Sequence, residues 1–329
     1  MFRALYLSSD GKLKTDLELV DIAFALYEPD GLLWVDFLCP GENDDVEDIL
    51  EKTFGFHPLA IDDALRETHV PKLDNWGKYL YLVFHAVTLE RHNNLELSVL
   101  ELDIFLGKNY IVTYHDRALE VLDHLWSSIK IDGRPMRNGS DHLLYKIVDD
   151  LVGSYISVFA SLDAEIDKLE GLVFGKQSSG TLERIYNIKR ILLHLRRIIF
   201  PQREVLNKLS REEYEAIDAR AQVYFRDVYD HLVRLHDLTE SMRDLVTGTL
   251  ETYLSMVNNR MNEVVKILTL ITTFFMPLSF LTSFFGMNFF LPRNPIHSLM
   301  EPPFLWGVVL LIFLAPFTLL TWLRKRGWM

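Results

Sequence analysis

The sequence predicts an α+β domain, a mixed sheet with helices, followed by a very long stalk helix and two membrane-spanning helices at the C-terminal end. Three observations predict it. Strand-like apolar runs are confined to residues 1–130, helical periodicity with sparse glycine and proline takes over from about Ser140, and two uncharged apolar stretches follow residue 266.

With 329 residues the chain exceeds what one compact core holds, so two regions are expected. It is 49% hydrophobic and 24% charged, ordinary for a soluble protein. The mean hydropathy of +0.08 reflects apolar residues gathered near the end. A formal charge of −12 excludes nucleic acid as a partner, because phosphate neutralisation needs a basic surface. A cationic partner fits instead. Cys39 is the single cysteine, so no intrachain disulfide forms and a reducing compartment is compatible. The N-terminal run MFRALYLSSDGK has no long apolar core, so no secretory signal is expected and the bulk of the protein stays where it is made.

Taken in order, the strand candidates of the first domain (1–130) are Leu32 to Leu38, Tyr79 to Leu89, Leu95 to Leu106 and Tyr110 to Tyr114, with Asn93-Asn94 as a hairpin turn. Helices read best at Val46 to Phe54 and Pro58 to Glu67. Residues 131–211 read as a helical hairpin: Asp141 to Gly171, a break at GKQSSG (Gly175 to Gly180), and a return from Leu182 to Leu209 with Pro201 as a further break. From about Glu212 to Phe285 only Gly248 and Pro277 interrupt, which predicts a helix over 212–285 of roughly 110 Å. Such a rod cannot bury itself within one chain, so it should align with copies of itself or with the preceding helices. Gly248 is its expected flexure point.

The first span (267–285), ILTLITTFFMPLSFLTSFF, is uncharged and about 28 Å long as a helix, close to the hydrocarbon thickness. The second (304–323), FLWGVVLLIFLAPFTLLTWL, ends in the basic tail 324–329 with Arg324, Lys325 and Arg326. Basic residues beside a span are retained on the cytoplasmic side, so both termini are expected to be cytoplasmic and residues 286–303 to form an external loop. Trp306, Trp322 and Trp328 are expected interface anchors.

Steps of three and four along the first span place Asn262, Val265, Thr269, Thr272, Met276, Ser279 and Ser283 on one mildly polar face. Ile267, Leu270, Phe274, Leu278 and Phe285 occupy the remainder. Small polar residues also serve plain helix packing in membranes, so the stripe alone leaves pore and packing open. At its outer end stand Gly286, Met287 and Asn288, where a glycine lets the backbone bend and an asparagine presents an amide carbonyl. A ring of such oxygens suits a hydrated Mg²⁺ ion, which gives up its waters reluctantly. Leu268 and Met276 can form hydrophobic constrictions that gate by dewetting. Glu251, one acid further inward, can concentrate cations at the inner pore mouth.

Gly286-Met287-Asn288 between two spans, with Tyr253 to Phe289 throughout, resembles the CorA family of magnesium transporters. The resemblance extends upstream through YFRDVYD (Tyr224 to Asp230) to FGFHPLAIDD (Phe54 to Asp63). It implies a homopentameric funnel in the cell (inner or plasma) membrane whose first spans line a pore. It further implies passage of Mg²⁺ and also Co²⁺ and Ni²⁺, and inhibitory Mg²⁺ bound between protomers by Asp63 and Asp227, with Asp62 and Asp149 for a second ion. Family members often follow the motif with an acidic loop of the type Met-Pro-Glu-Leu. Here Phe289-Phe290-Leu291-Pro292-Arg293 follows, and Glu301 is the only loop acid.

No organic cofactor is expected, since no Gly-rich phosphate loop with a Walker lysine occurs. Nor is an enzyme, because His57, His69, His85 and His115 show no ligand or nucleophile spacing. His231, one turn after Asp227, makes an Asp–His transition-metal site conceivable. Two other readings stay open: a Zn²⁺ or Co²⁺ transporter on the same scaffold, and a membrane-anchored sensor without a pore.

Overall fold

Alternation along residues 32–38 decides the architecture, because it sends successive side chains into two different cores. Leu33, Val35 and Phe37 enter one, and Leu32 and Trp34 the other. The computed structural model describes residues 2–40, 44–66, 70–91, 95–175, 180–286 and 302–326. Its strands are β1 (Phe2–Leu7), β2 (Leu13–Thr15), β3 (Leu32–Leu38), β4 (Lys72–Asn75), β5 (Leu80–Arg91), β6 (Leu95–Leu106) and β7 (Tyr110–His115). Its helices are α1 (Leu19–Tyr27), α2 (Asp44–Lys52), α3 (Pro58–Arg66), α4 (Glu120–Ile131), α5 (Arg134–Arg137), α6 (Ser140–Phe174), α7 (Thr181–Arg211), α8 (Gln222–Phe285) and α9 (Pro302–Lys325).

The strands form one mixed sheet in the order β2-β1-β3-β7-β6-β5-β4. All pairings are antiparallel except β3 with β7, which run parallel. β5 and β6 form a long hairpin from Leu80↔Leu106 to Arg91↔Leu95. The Asn93-Asn94 turn that joins them lies outside the described residues. One face of the sheet packs Ala4, Tyr6, Leu33, Val35 and Tyr81 against Ile22 of α1, Leu50 of α2 and Ile61 of α3. Helices α4, α6, α7 and α8 cover the other face through Trp126, Leu144, Leu195 and Phe225.

The chain divides into two units, Met1–Tyr253 and Leu254–Met329. Residues 1–130, the helical hairpin and the first part of α8 thus share one compact unit. Within it, α8 buries Phe225, Val228, Leu232, Leu235, Thr239, Met242 and Val246, a three-four repeat that matches a coiled-coil seam.

Several expectations change. The long helix starts at Gln222 rather than 212, because Asp218 organises a turn: its carboxylate accepts from Arg220 N at 2.8 Å and its own N–H donates to Asp141 at 3.0 Å. Pro201 breaks nothing and lies inside α7, where the flanking Ile198, Ile199, Gln202 and Val205 are buried. Core packing there outweighs the lost N–H donor. Strands β1, β2 and β4 and helices α1, α4 and α5 are additions, and α8 runs on through Gly248 without interruption.

Beneath α4, Asp36 is buried at 1% exposure between Arg3 Nε (2.8 Å) and His115 Nε2 (3.2 Å). His115 Nδ1 lies 2.6 Å from the Arg117 carbonyl. A carbonyl and a carboxylate only accept, so this arrangement favours a proton on both ring nitrogens. Burial opposes both charges. The mutual bond prevails, lowering Asp36 below and raising His115 above its ordinary value, aided at Asp36 by Thr113 and Arg3 and at His115 by the Arg117 carbonyl.

A raised histidine pKa contributes stability that is complete below about pH 6.5 and fades as pH rises through the folded value. The lowered Asp36 contributes above about pH 3.8 and is lost on acidification. His115→Gln should therefore destabilise the full-length protein by about 3 kcal/mol near pH 6. At about pH 9 the deficit should be distinctly smaller. Thermal unfolding in detergent at the two pH values reads it, and a pH-independent deficit contradicts the ion pair.

Candidate ion pathway and carboxylate sites

Beyond Tyr253, α8 leaves its apolar side chains uncovered. None of its apolar window is buried, and among the described residues α8 is the one helix long and apolar enough to cross a membrane. The described apolar part of α9, Trp306–Leu319, is shorter, although 304–323 is helical throughout. Among the expected pore and gate residues, Val265, Leu268 and Met276 are 54%, 62% and 70% exposed, and Asn262, Thr272, Ser279 and Ser283 are also exposed.

The stripe hydroxyls have a defined polarity. Thr269 donates to the Val265 carbonyl at 2.8 Å and Thr272 to the Leu268 carbonyl at 2.9 Å. Each proton is spent on the helix, so the oxygen keeps acceptor capacity. Acceptors suit the outward hydrogens of water around a cation. Gly286 closes the helix, its N–H donating to Thr282 O at 2.9 Å. Met287, Asn288, Arg293, Glu301 and Trp328 lie outside the described residues. At the end of α9, Arg324 and Lys325 occupy the last turn, where the helix dipole favours positive charge, and Arg326 stacks over Trp322 at 4.9 Å.

Glu251, still within the first unit, is exposed on α8. The remaining carboxylates fall into two groups on opposite sides of the sheet. Asp62 and Asp63 stand on α3. Asp62 pairs with Arg66 at 2.5 Å, and Asp63 with Lys72 at 2.5 Å. Asp149 on α6 and Asp227 on α8 meet around Tyr145, whose hydroxyl is pushed up to about 12 by burial, by the charges of Asp149 and Asp227 and by a hydrogen bond to Asp149. Tyr145 stacks on Tyr224, one turn before Asp227, at 5.0 Å. Asp227 is 66% exposed and has His231 Nε2 at 4.0 Å.

Within one chain Asp149 and Asp227 both act on Tyr145, whereas Asp63 stands on the other side of the sheet. Among the described residues no group of three or more His, Cys, Asp or Glu side chains is placed to hold a metal ion. Two residues escaped the sequence reading, Lys72 and Tyr145. Lys72 stands nine residues from Asp63 on a different element, so no helical or strand spacing links them. Tyr145 precedes Asp149 by one helical turn, a spacing that does carry that signal.

A sequence-family match covers residues 29–325, and its description reads CorA-like Mg²⁺ transporter protein. The cobalt/magnesium transport protein CorA of Thermotoga maritima is 35% identical over 289 residues, spanning 87% of this chain and 80% of that relative. The putative metal ion transporter YfjQ of Bacillus subtilis is 31% identical over 300 residues, spanning 90% and 89%. The complete structure of the CorA magnesium transporter from Methanocaldococcus jannaschii matches with a TM-score of 0.83 at 23% identity, covering 100% of this chain and 99% of that one. That likeness shows a shared fold. Together the matches establish that the chain belongs to the family of CorA-like Mg²⁺ transporter proteins, as a divalent-cation transporter of that family.

Proposed function

We propose that the chain assembles as a homopentamer in the cell (inner or plasma) membrane and lets hydrated Mg²⁺, and with it Co²⁺ and Ni²⁺, flow passively into the cell. Both termini are cytoplasmic, and α8 and α9 are its two spans. The first spans surround the pore, with Gly286, Met287 and Asn288 as the filter. The observation that carries this reading is the exposed, mildly polar stripe from Asn262 to Ser283, which continues into the uncharged apolar segment 267–285 of α8. A doubly charged ion gains about 4.6 kcal/mol per 100 mV of inside-negative potential, enough to drive entry without a nucleotide.

Intracellular Mg²⁺ closes the pore by bridging Asp63 of one protomer and Asp227 of the neighbouring protomer, with Asp62 and Asp149 holding a second ion more loosely. Carboxylate oxygens fit a hard divalent cation, and facing carboxylates repel without one. The separation of Asp63 from Asp227 by the sheet supports a site that needs two chains. A Zn²⁺ or Co²⁺ transporter on the same scaffold is the second reading, favoured by Arg293 where relatives of the resemblance carry an acid. A pore-less sensor is the third, and no enzymatic activity is assigned.

Asn288→Ala should reduce Mg²⁺ flux into proteoliposomes to the level of empty vesicles, whereas a sensor without a pore predicts no change. Zn²⁺ flux without Mg²⁺ flux in the wild type would overturn the ion assignment. Asp63→Ala or Asp227→Ala should raise the internal Mg²⁺ needed for half-inhibition by at least about tenfold. An unchanged inhibition curve in both variants removes these acids from the sensor.

A further inference from the structure

Asp63 already has a cation. Lys72, on the edge strand β4, brings its ammonium 2.5 Å from Asp63 and 3.2 Å from Asp74, over the Tyr81 ring at 5.2 Å. The pair is half-screened from water, Lys72 being 27% and Asp63 31% exposed. Behind them Tyr81 donates to the buried Asp103 at 2.6 Å. Burial and the nearby Glu101 push Asp103 well above the ordinary carboxylate range, with the Tyr81 hydrogen bond and Lys72 acting in the opposite direction. The ion pairs of Lys72 are with Asp63 and Asp74.

We propose that Lys72 is a tethered competitor of the regulatory ion: it occupies the Asp63 carboxylate in the cation-free state, so that the site answers divalent cations and ignores monovalent ones. The proposal rests on the reading that Asp63 ligates intracellular Mg²⁺. Replacing an ammonium by K⁺ exchanges one positive charge for another and gives up directional hydrogen bonds to a carboxylate, so nothing is gained. A divalent ion brings a second charge, which the two facing carboxylates reward. Once displaced, the ammonium keeps Asp74 and the Tyr81 face, and no charge is stranded. The lysine thereby raises the Mg²⁺ level at which the site fills.

The test uses the full-length protein in detergent and in proteoliposomes. In detergent, melting temperature against Mg²⁺ gives a binding midpoint, since a ligand of the folded state stabilises it. In vesicles, Mg²⁺ inhibition of flux gives a second. Lys72→Met, which keeps the apolar stem, should lower both midpoints by about three- to tenfold. Added KCl should then raise the variant's midpoint more than N-methylglucamine chloride of equal ionic strength, a difference absent in the wild type. Lys72→Arg should keep the wild-type midpoint. A Lys72→Met midpoint that is unchanged or higher overturns the competitor role, the latter because the lysine would then be positioning the carboxylate. If Asp63→Ala leaves the midpoint unmoved, the assignment of Asp63 itself fails and the proposal with it. If Asp63→Ala acts while Lys72→Met does not, only the role of the lysine fails.

Discussion

The structure depends on one helix meeting two solvents. Up to Val246, α8 buries a seam of side chains at three-four spacing against α6 and α7, and Leu250 and Tyr253 are partly covered by the same core. Beyond Tyr253 the helix remains as apolar, yet Met261, Val264, Leu268, Phe275 and Phe280 are all at least half exposed. Apolar surface of that extent is stable only in lipid or against other copies. The first part ties the helix to the sheet domain, and the second calls for a bilayer and an assembly.

Electrostatics adds the regulatory half of the account. The chain carries twelve more acids than bases, and the structure separates its carboxylates by the layer they stand on. Asp63 rides on α3, which packs on one face of the sheet, and Asp227 on α8, which packs on the other. Alternation in β3 and its neighbours therefore decides which acids share a chain's surface. Around Asp63 the fold supplies Lys72, and around Asp36 it supplies Arg3 and His115, whereas among the described residues the ion-pair partner of Asp227 is His231 at 4.0 Å. The most exposed of the four proposed ligands is the one left readiest for an outside ion.

Much of the fold is legible in the sequence where periodicity is long and clean. β3 and β6 fall on their expected residues, and the α6–α7 hairpin departs from its expected ends by at most three residues. Elements set by tertiary context are harder to read. β1 is a six-residue, mostly apolar segment interrupted by Arg3, too short for periodicity to separate strand from helix, while β2 and β4 are short polar edge strands whose identity comes from their neighbours. Pro201 reads as a break because local sequence does not report the packing that holds α7 together around it. The stripe on α8 follows from spacing, whereas the pairing of Asp63 with Asp227 comes from resemblance alone. Lys72 was invisible for a different reason, since its contact with Asp63 depends on how β4 docks beside β5.

The central claim is that the polar face of α8, and not its apolar face, meets the permeating ion. With Cys39 replaced by serine, single cysteines at Asn262, Thr272, Ser279 and Ser283 can be compared with cysteines at Leu270, Phe274 and Leu278, using a charged, membrane-impermeant thiol reagent during Mg²⁺ flux. The account predicts that the stripe cysteines react, that their modification blocks flux and that the apolar-face cysteines stay silent. Equal reactivity on both faces, or block from Leu270, Phe274 and Leu278 alone, would contradict it.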